Sequence, residues 1–152
     1  MMEGRSILLV EDEYGAAEML QLILEVEGYR VASAPNGQAA WEHIASHLPD
    51  VVLTDFMMPA LNGAQLGRRL RATARTARVP IIMMSGVSET EVQRHFTGYD
   101  AFLQKPFRTP DVLAALQRVL AAGADRRMPE PGARRHGPRW LTSFGRLGGA
   151  AR

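Results

Sequence analysis

DVVLTDFMMPALNG, residues 50–63, decides the fold. It opens with a short, unbroken apolar run, Val51–Thr54, the pattern of a β-strand covered on both faces. An acid, Asp55, ends the run. Met57 and Met58 sit in the loop that follows, and Asn62-Gly63 opens a segment in which Leu66 and Leu70 recur four apart, the spacing of one helix face. A buried strand with a carboxylate at its end, a loop and an amphipathic helix make one βα unit.

The same unit repeats on either side. Upstream, Ser6–Val10 is a second apolar strand, and Ala16, Met19, Leu20, Ile23 and Leu24 mark a helix that Gly28 stops. Arg30–Ala34 is a short strand ended by Pro35-Asn36-Gly37, and a helix is expected from about Gln38 to His47. Downstream, Val79–Met84 reads as a strand and a short helix begins near Ser88. Ala101–Gln104 is the fifth strand. Val112, Leu113, Leu116, Val119 and Leu120 face inward from a last helix expected to end at Gly123. Strands separated by helices run parallel, with right-handed crossovers that place helices on both faces. The fold class is therefore α/β, a doubly wound five-stranded parallel sheet.

Ligands of such sheets sit outside the carboxyl ends of the strands. Glu11 and Asp12 follow the first strand, Asp55 ends the third, Ser85 follows the fourth and Lys105 the fifth. Four segments thus deliver three carboxylates, a hydroxyl and an ammonium to one edge. Clustered carboxylates repel one another and raise some of their pKa values. A hard divalent cation relieves that repulsion, and an all-oxygen site suits Mg²⁺.

LLVEDE at 8–13, DVVLTDFMMPALNG at 50–63, PIIMMSG at 80–86 and FLQKPF at 102–107, in this order and each at a strand end, resemble the receiver domains of two-component response regulators. The resemblance spans residues 5 to about 122. It implies a flavodoxin-like (βα)5 sheet of strand order 2-1-3-4-5. It also implies that Asp55 accepts a phosphoryl group from a phosphohistidine of a histidine kinase or histidine phosphotransfer protein. Asp12 would bind Mg²⁺ directly, Glu11 through water, and the backbone carbonyl of Met57 would complete the protein's ligands beside Asp55. Lys105 would pair with Asp55 and then with the phosphoryl oxygens, following a cis Lys105–Pro106 bond. Ser85 stands where the family's Thr or Ser contacts the phosphoryl group, and Phe102 at the aromatic switch position. The implied output is contact with a downstream protein target, and the signal decays as water attacks the phosphorus, so the chain is not a turnover enzyme.

Other residues read two ways. Lys105 is the only lysine against 17 arginines, which points to a site where a compact ammonium is needed and a planar guanidinium would not fit. Phe102 is a core aromatic as well as a switch candidate, and it lacks the hydroxyl of the commoner Tyr. Gly86 either keeps the phosphoryl pocket open or serves a turn. His43, His47, His95 and His136 lack ligand-like spacing and read as structural or surface residues.

Composition bounds the rest. Hydrophobic residues make up 46% of 152, enough for a core, and the absence of cysteine excludes disulfides and thiolate metal sites. No apolar stretch approaches the ~20 residues of a membrane span, so a soluble cytoplasmic protein is expected. Residues 1–123 form the receiver domain, with 11 basic and 14 acidic side chains; residues 124–152 form an Arg/Gly/Pro-rich tail with seven arginines against two acids. The tail is expected to be mostly flexible, since Gly145, Gly148 and Gly149 weaken any helix. Even so, Trp140, Phe144 and Leu147 recur at helical spacing, as a docking element would. Only 20 positions separate Ser85 from Lys105, slightly fewer than the family's usual spacing. The face of the fourth helix, fifth strand and fifth helix, where receivers dimerise or meet partners, is therefore the least safely inferred; a homodimer through it is one option.

Two rival readings stand beside this one. The basic tail permits weak, salt-sensitive DNA binding, but no recognition helix is visible, so DNA is not the expected partner. A hydrolase of the phosphatase superfamily with an Asp nucleophile would need a second Asp two residues on, where Met57 stands.

Overall fold

The computed structural model describes residues 4–127, with side chains through 122. Five strands and five helices alternate: β1 Ser6–Val10, α1 Tyr14–Val26, β2 Arg30–Ala34, α2 Gly37–Ser46, β3 Val51–Asp55, α3 Gly63–Ala72, β4 Ile81–Ser85, α4 Glu89–Gln93, β5 Ala101–Gln104 and α5 Thr109–Arg127. All strand pairs are parallel and the order is β2-β1-β3-β4-β5, the flavodoxin-like arrangement.

The period of two along each strand builds two cores. Ile7, Leu9, Val51, Leu53, Ile82 and Met84 point to the side covered by α1 and α5, where they meet Leu24, Leu116 and Leu120. Leu8, Val10, Val52, Ile81 and Met83 point to the other side, against Ile44 of α2, Leu66 and Leu70 of α3 and Val92 of α4. Strands β3 and β4 are buried along their whole length, as their unbroken apolar runs require, whereas the edge strand β2 is half exposed.

Local chemistry sets the helix ends. Glu13, Asn36, Asn62 and Ser88 each cap a helix start by accepting a backbone N–H, and Asn62 with Gln65 forms a reciprocal capping box. Gly28 stops α1 at φ 99°, with its N–H donating to Glu25 and that of Tyr29 to Leu24, a Schellman ending.

Several expected boundaries move. Helix α2 ends one residue early, at Ser46, with His47 as its cap. Strand β4 begins at Ile81 because Pro80 has no N–H to give the ladder and Val79 is held in a turn by Thr76. Its carbonyl, with that of Ala77, accepts from Arg71. Helix α5 does not end at Gly123 but continues to Arg127. Ala121, Ala122 and Ala124 flank that glycine, and a lone glycine costs a helix only about 1 kcal/mol. The tail beyond Arg127, including Trp140, Phe144 and Leu147, lies outside the described residues. No described helix is long and apolar enough to cross a membrane.

Candidate functional site

At the carboxyl edge of the sheet the strands hand over polar residues. Glu11 and Asp12 leave β1, and Asp55 is the last residue of β3. Each of these acids offers a carboxylate oxygen, and the three oxygens lie within 4.8 Å of one another. Asp55 and Glu11 are buried, at 6% and 5% exposed, while Asp12 is open to solvent. An all-oxygen, two-thirds-buried set of this size matches the demands of Mg²⁺ on its donors.

Lys105 leaves β5 on a cis Lys105–Pro106 bond. Its Nζ lies 3.1 Å from Asp55 Oδ1 and 3.0 Å from Glu11 Oε1, donating a hydrogen bond to the latter. The first contact was expected from the sequence; the second was not. A pair separated by 94 positions leaves no local trace, and only the juxtaposition of β1 and β5 across the edge creates it.

These contacts set the protonation of the site. Burial pushes the Asp55 carboxyl up to about 6, against the pull of the Lys105 ammonium, and the charge of Glu11 adds to the rise. For Lys105 burial favours the neutral amine, but the hydrogen bonds to Glu11 and Asp55 outweigh it and raise the pKa. The lysine is therefore a permanent cation beside a carboxylate that is reluctant to ionise.

Ser85 ends β4 and is buried, its hydroxyl accepting the Val87 N–H at 3.0 Å. Its carbonyl accepts the Lys105 N–H at 2.7 Å, which joins the ends of β4 and β5. Gln104, which the sequence did not single out, reinforces this junction: its Nε2 lies 3.1–3.2 Å from the carbonyls of Ser85, Gly86 and Val87. Gly86 is exposed, and a Cβ there would meet nothing within 4 Å, so no close approach demands this glycine.

Met57 follows Asp55 in the loop with its side chain 63% exposed, whereas Met58 packs into the core. Phe102 on β5 is half-buried against the α2–α3–α4 core, its ring 6.1 Å from that of Tyr99. Tyr99 in turn ties α4 down: its hydroxyl donates to Glu89 at 2.6 Å and accepts from Gln93 at 3.1 Å. Gly63 lets α3 start against the site. A Cβ there would collide with the backbone oxygen of Asp55 and come within 2.9 Å of Met83 Sδ and Phe56 Cα. His43 and His47 stack on each other, and His95 lies beside Phe56, in keeping with structural or surface roles.

Known proteins are similar to this chain in sequence and in fold. Response regulator Rre1 of Synechocystis sp. is 42% identical over 125 residues, covering 80% of this chain and 54% of that protein. The phosphate regulon transcriptional regulatory protein PhoB of Pseudomonas aeruginosa is 37% identical over 121 residues, covering 78% of this chain and 53% of that protein. The chain thus spans about half the length of these curated relatives. Among solved structures, the receiver domain of sensor histidine kinase PA1611 from Pseudomonas aeruginosa PAO1 has a magnesium ion coordinated in its active site cleft. It aligns with a TM-score of 0.71 at 30% identity, over 78% of this chain and 98% of that one. Vibrio cholerae chemotaxis protein CheY4 aligns with a TM-score of 0.72 at 27% identity, over 76% of this chain and 98% of that one. The family model of the response regulator receiver domain matches residues 7–117, which takes in all five strands except Ser6, together with the whole acidic edge. With fold, site geometry and relatives in agreement, the chain belongs to the response regulator receiver domain family.

Proposed function

We propose that this receiver takes a phosphoryl group from a phosphohistidine donor onto Asp55 and signals through the resulting change of shape. The observation that carries the reading is the placement of Lys105 Nζ 3.1 Å from Asp55 Oδ1, beside the carboxylates of Glu11 and Asp12. No simple structural need calls for three acids and a lone lysine at one edge. A phosphoryl acceptor does call for them, because phosphoryl transfer is governed by alignment and charge neutralisation.

In the step itself, a carboxylate oxygen of Asp55 forms a bond to phosphorus as the P–N bond to the donor histidine breaks. The electron pair leaves with the imidazole nitrogen, which takes a proton from water, and an acyl phosphate remains on Asp55. Lys105 moves its charge from the carboxylate to the phosphoryl oxygens. The Ser85 hydroxyl contacts a phosphoryl oxygen, giving up its bond from Val87. Phe102 turns inward as Ser85 shifts. Asp12, Asp55 and the Met57 carbonyl would hold Mg²⁺, with Glu11 acting through water. When bound, the ion supplies positive charge to the transferring group. Water later attacks the phosphorus and regenerates Asp55, so the chain is a phosphorylated signalling module rather than a turnover enzyme.

The donor is a histidine kinase or histidine phosphotransfer protein, the output is a protein target, and the compartment is the cytoplasm. The α4–β5–α5 face is the surface offered to a target or a second copy, and there Tyr99 joins α4 to Phe102 of β5. The test is incubation with Mg²⁺ and acetyl phosphate, followed by a search for an acid-stable, base-labile adduct. The adduct is expected with the wild-type chain and absent after chelation. Undiminished uptake by Asp55→Asn would refute the proposal.

A further inference from the structure

Helix α1 turns an apolar stripe to solvent. Among the described residues seven large hydrophobic side chains are exposed, and four of them, Tyr14, Met19, Leu22 and Val26, belong to this helix. Met19, Leu22 and Val26 are spaced three and four apart, so they form one continuous stripe away from the buried Ala17 and Leu24. Glu18 and Glu25 run along one side of it, and α1 contains no basic residue. On the other side Met19 and Ile23 line a groove of about 490 Å³ shared with Phe107 and Val112 at the start of α5. An exposed apolar stripe with one acidic border has the make-up of an interface.

The chain itself supplies a matching segment. Residues 128–152 carry five arginines against Glu130, and WLTSFGRL at 140–147 places Trp140, Phe144 and Leu147 four and three apart. Read backwards along α1, Val26, Leu22 and Met19 have the same four-and-three spacing. Arg139 and Arg146 are seven apart, as are Glu18 and Glu25. Connectivity favours that antiparallel direction. Both α1 and α5 start at the carboxyl edge of the sheet and cover the same face, and α5, with 19 residues against 13, runs past the end of α1 where Val26 lies. The twelve residues 128–139 can reach at most about 40 Å, more than the length of α1 at ~1.5 Å per residue.

We propose that residues 140–147 dock antiparallel on the Met19–Leu22–Val26 stripe of α1 within the same molecule, with the tail arginines facing Glu18 and Glu25. Helix α1 starts two residues after Asp12, so a segment seated there stands at the rim of the acidic site and competes with any protein that approaches over α1. The inference does not depend on phosphoryl chemistry at Asp55.

The 152-residue chain has no cysteine, so its Ser143→Cys variant takes a single nitroxide label. Paramagnetic broadening is expected at the amides of Met19, Leu22 and Val26, with those of α3 and α4 keeping their intensity. It should vanish when Leu22→Glu is added, a change at a side chain 60% exposed and thus harmless to folding. Absence of broadening on α1, broadening that survives Leu22→Glu, or broadening seen only between labelled and unlabelled copies would each overturn the proposal.

Discussion

Lys105 spans from the end of β5 to Asp55 at the end of β3, bridging over β4, and its ammonium lies 3.1 Å from Asp55 Oδ1. The same nitrogen is 3.0 Å from Glu11, which follows β1, so one side chain ties together three strand ends. A compact ammonium can sit between two carboxylates in this way; a planar guanidinium cannot keep both contacts in the same space. Lys105→Arg should keep the fold but slow phosphoryl uptake from acetyl phosphate by about 100-fold, the scale of losing one charge-stabilising donor. The initial rate of adduct formation measures it, and a rate within a factor of two of wild type would count against the role.

Asp55 also makes stability depend on pH. Its folded carboxyl is raised to about 6, above its ordinary value of 3.8. The folded state therefore binds the proton more tightly than the unfolded chain, and stability falls as pH rises from near 4 through 6. Asp55→Asn removes that loss. In chelator-containing buffer at pH 7.5 the variant should be more stable than wild type by on the order of 1–3 kcal/mol, and the gap should close below pH 4. Urea midpoints across the pH range read it directly.

Mg²⁺ should reverse this order. Its binding to the folded chain alone adds stability by mass action, about 2.7 kcal/mol at a hundredfold excess over the dissociation constant. The melting temperature of the wild type should therefore climb with Mg²⁺, while Asp12→Ala and Asp55→Asn should respond weakly. Because Asp12 is exposed, its loss should leave the metal-free melting temperature almost unchanged. Equal Mg²⁺ responses in all three proteins would exclude the acidic trio as the cation site.

Two glycines near the site should behave oppositely. Gly63→Ala drives a methyl group into the backbone oxygen of Asp55 and toward Met83 and Phe56. It should cost about 1–3 kcal/mol, read as a lower urea midpoint. Gly86→Ala meets open space and should change stability by less than about 0.5 kcal/mol.

Much of this was visible in the chain because its signals are local. Buried strands announce themselves as apolar runs, and each charged site residue comes at the end of such a run, so Glu11, Asp12, Asp55 and Lys105 could be assigned to one edge from the parallel direction of the strands. What stayed hidden depends on contacts between distant residues. Nothing near Gln104 betrays that it fastens three successive carbonyls. Nothing near Asp100 shows that one of its oxygens takes both the Ile81 N–H and the Arg71 guanidinium, fixing β4, β5 and α3 against one another. The end of α5 was misplaced for the opposite reason: Gly123 is a local stop signal, but its alanine neighbours outweigh it.

Chemically, the chain carries a single ε-amine. An amine-selective acylating reagent meets the α-amino group and Lys105, while the 17 arginines do not react. Lys105 is about one-third exposed, so it can be reached, yet its pairing with Glu11 and Asp55 slows its reaction. The extent of acylation at Lys105, read from its peptide, thus becomes a gauge of the occupancy of the acidic edge, installed by the sequence and needing no engineered probe.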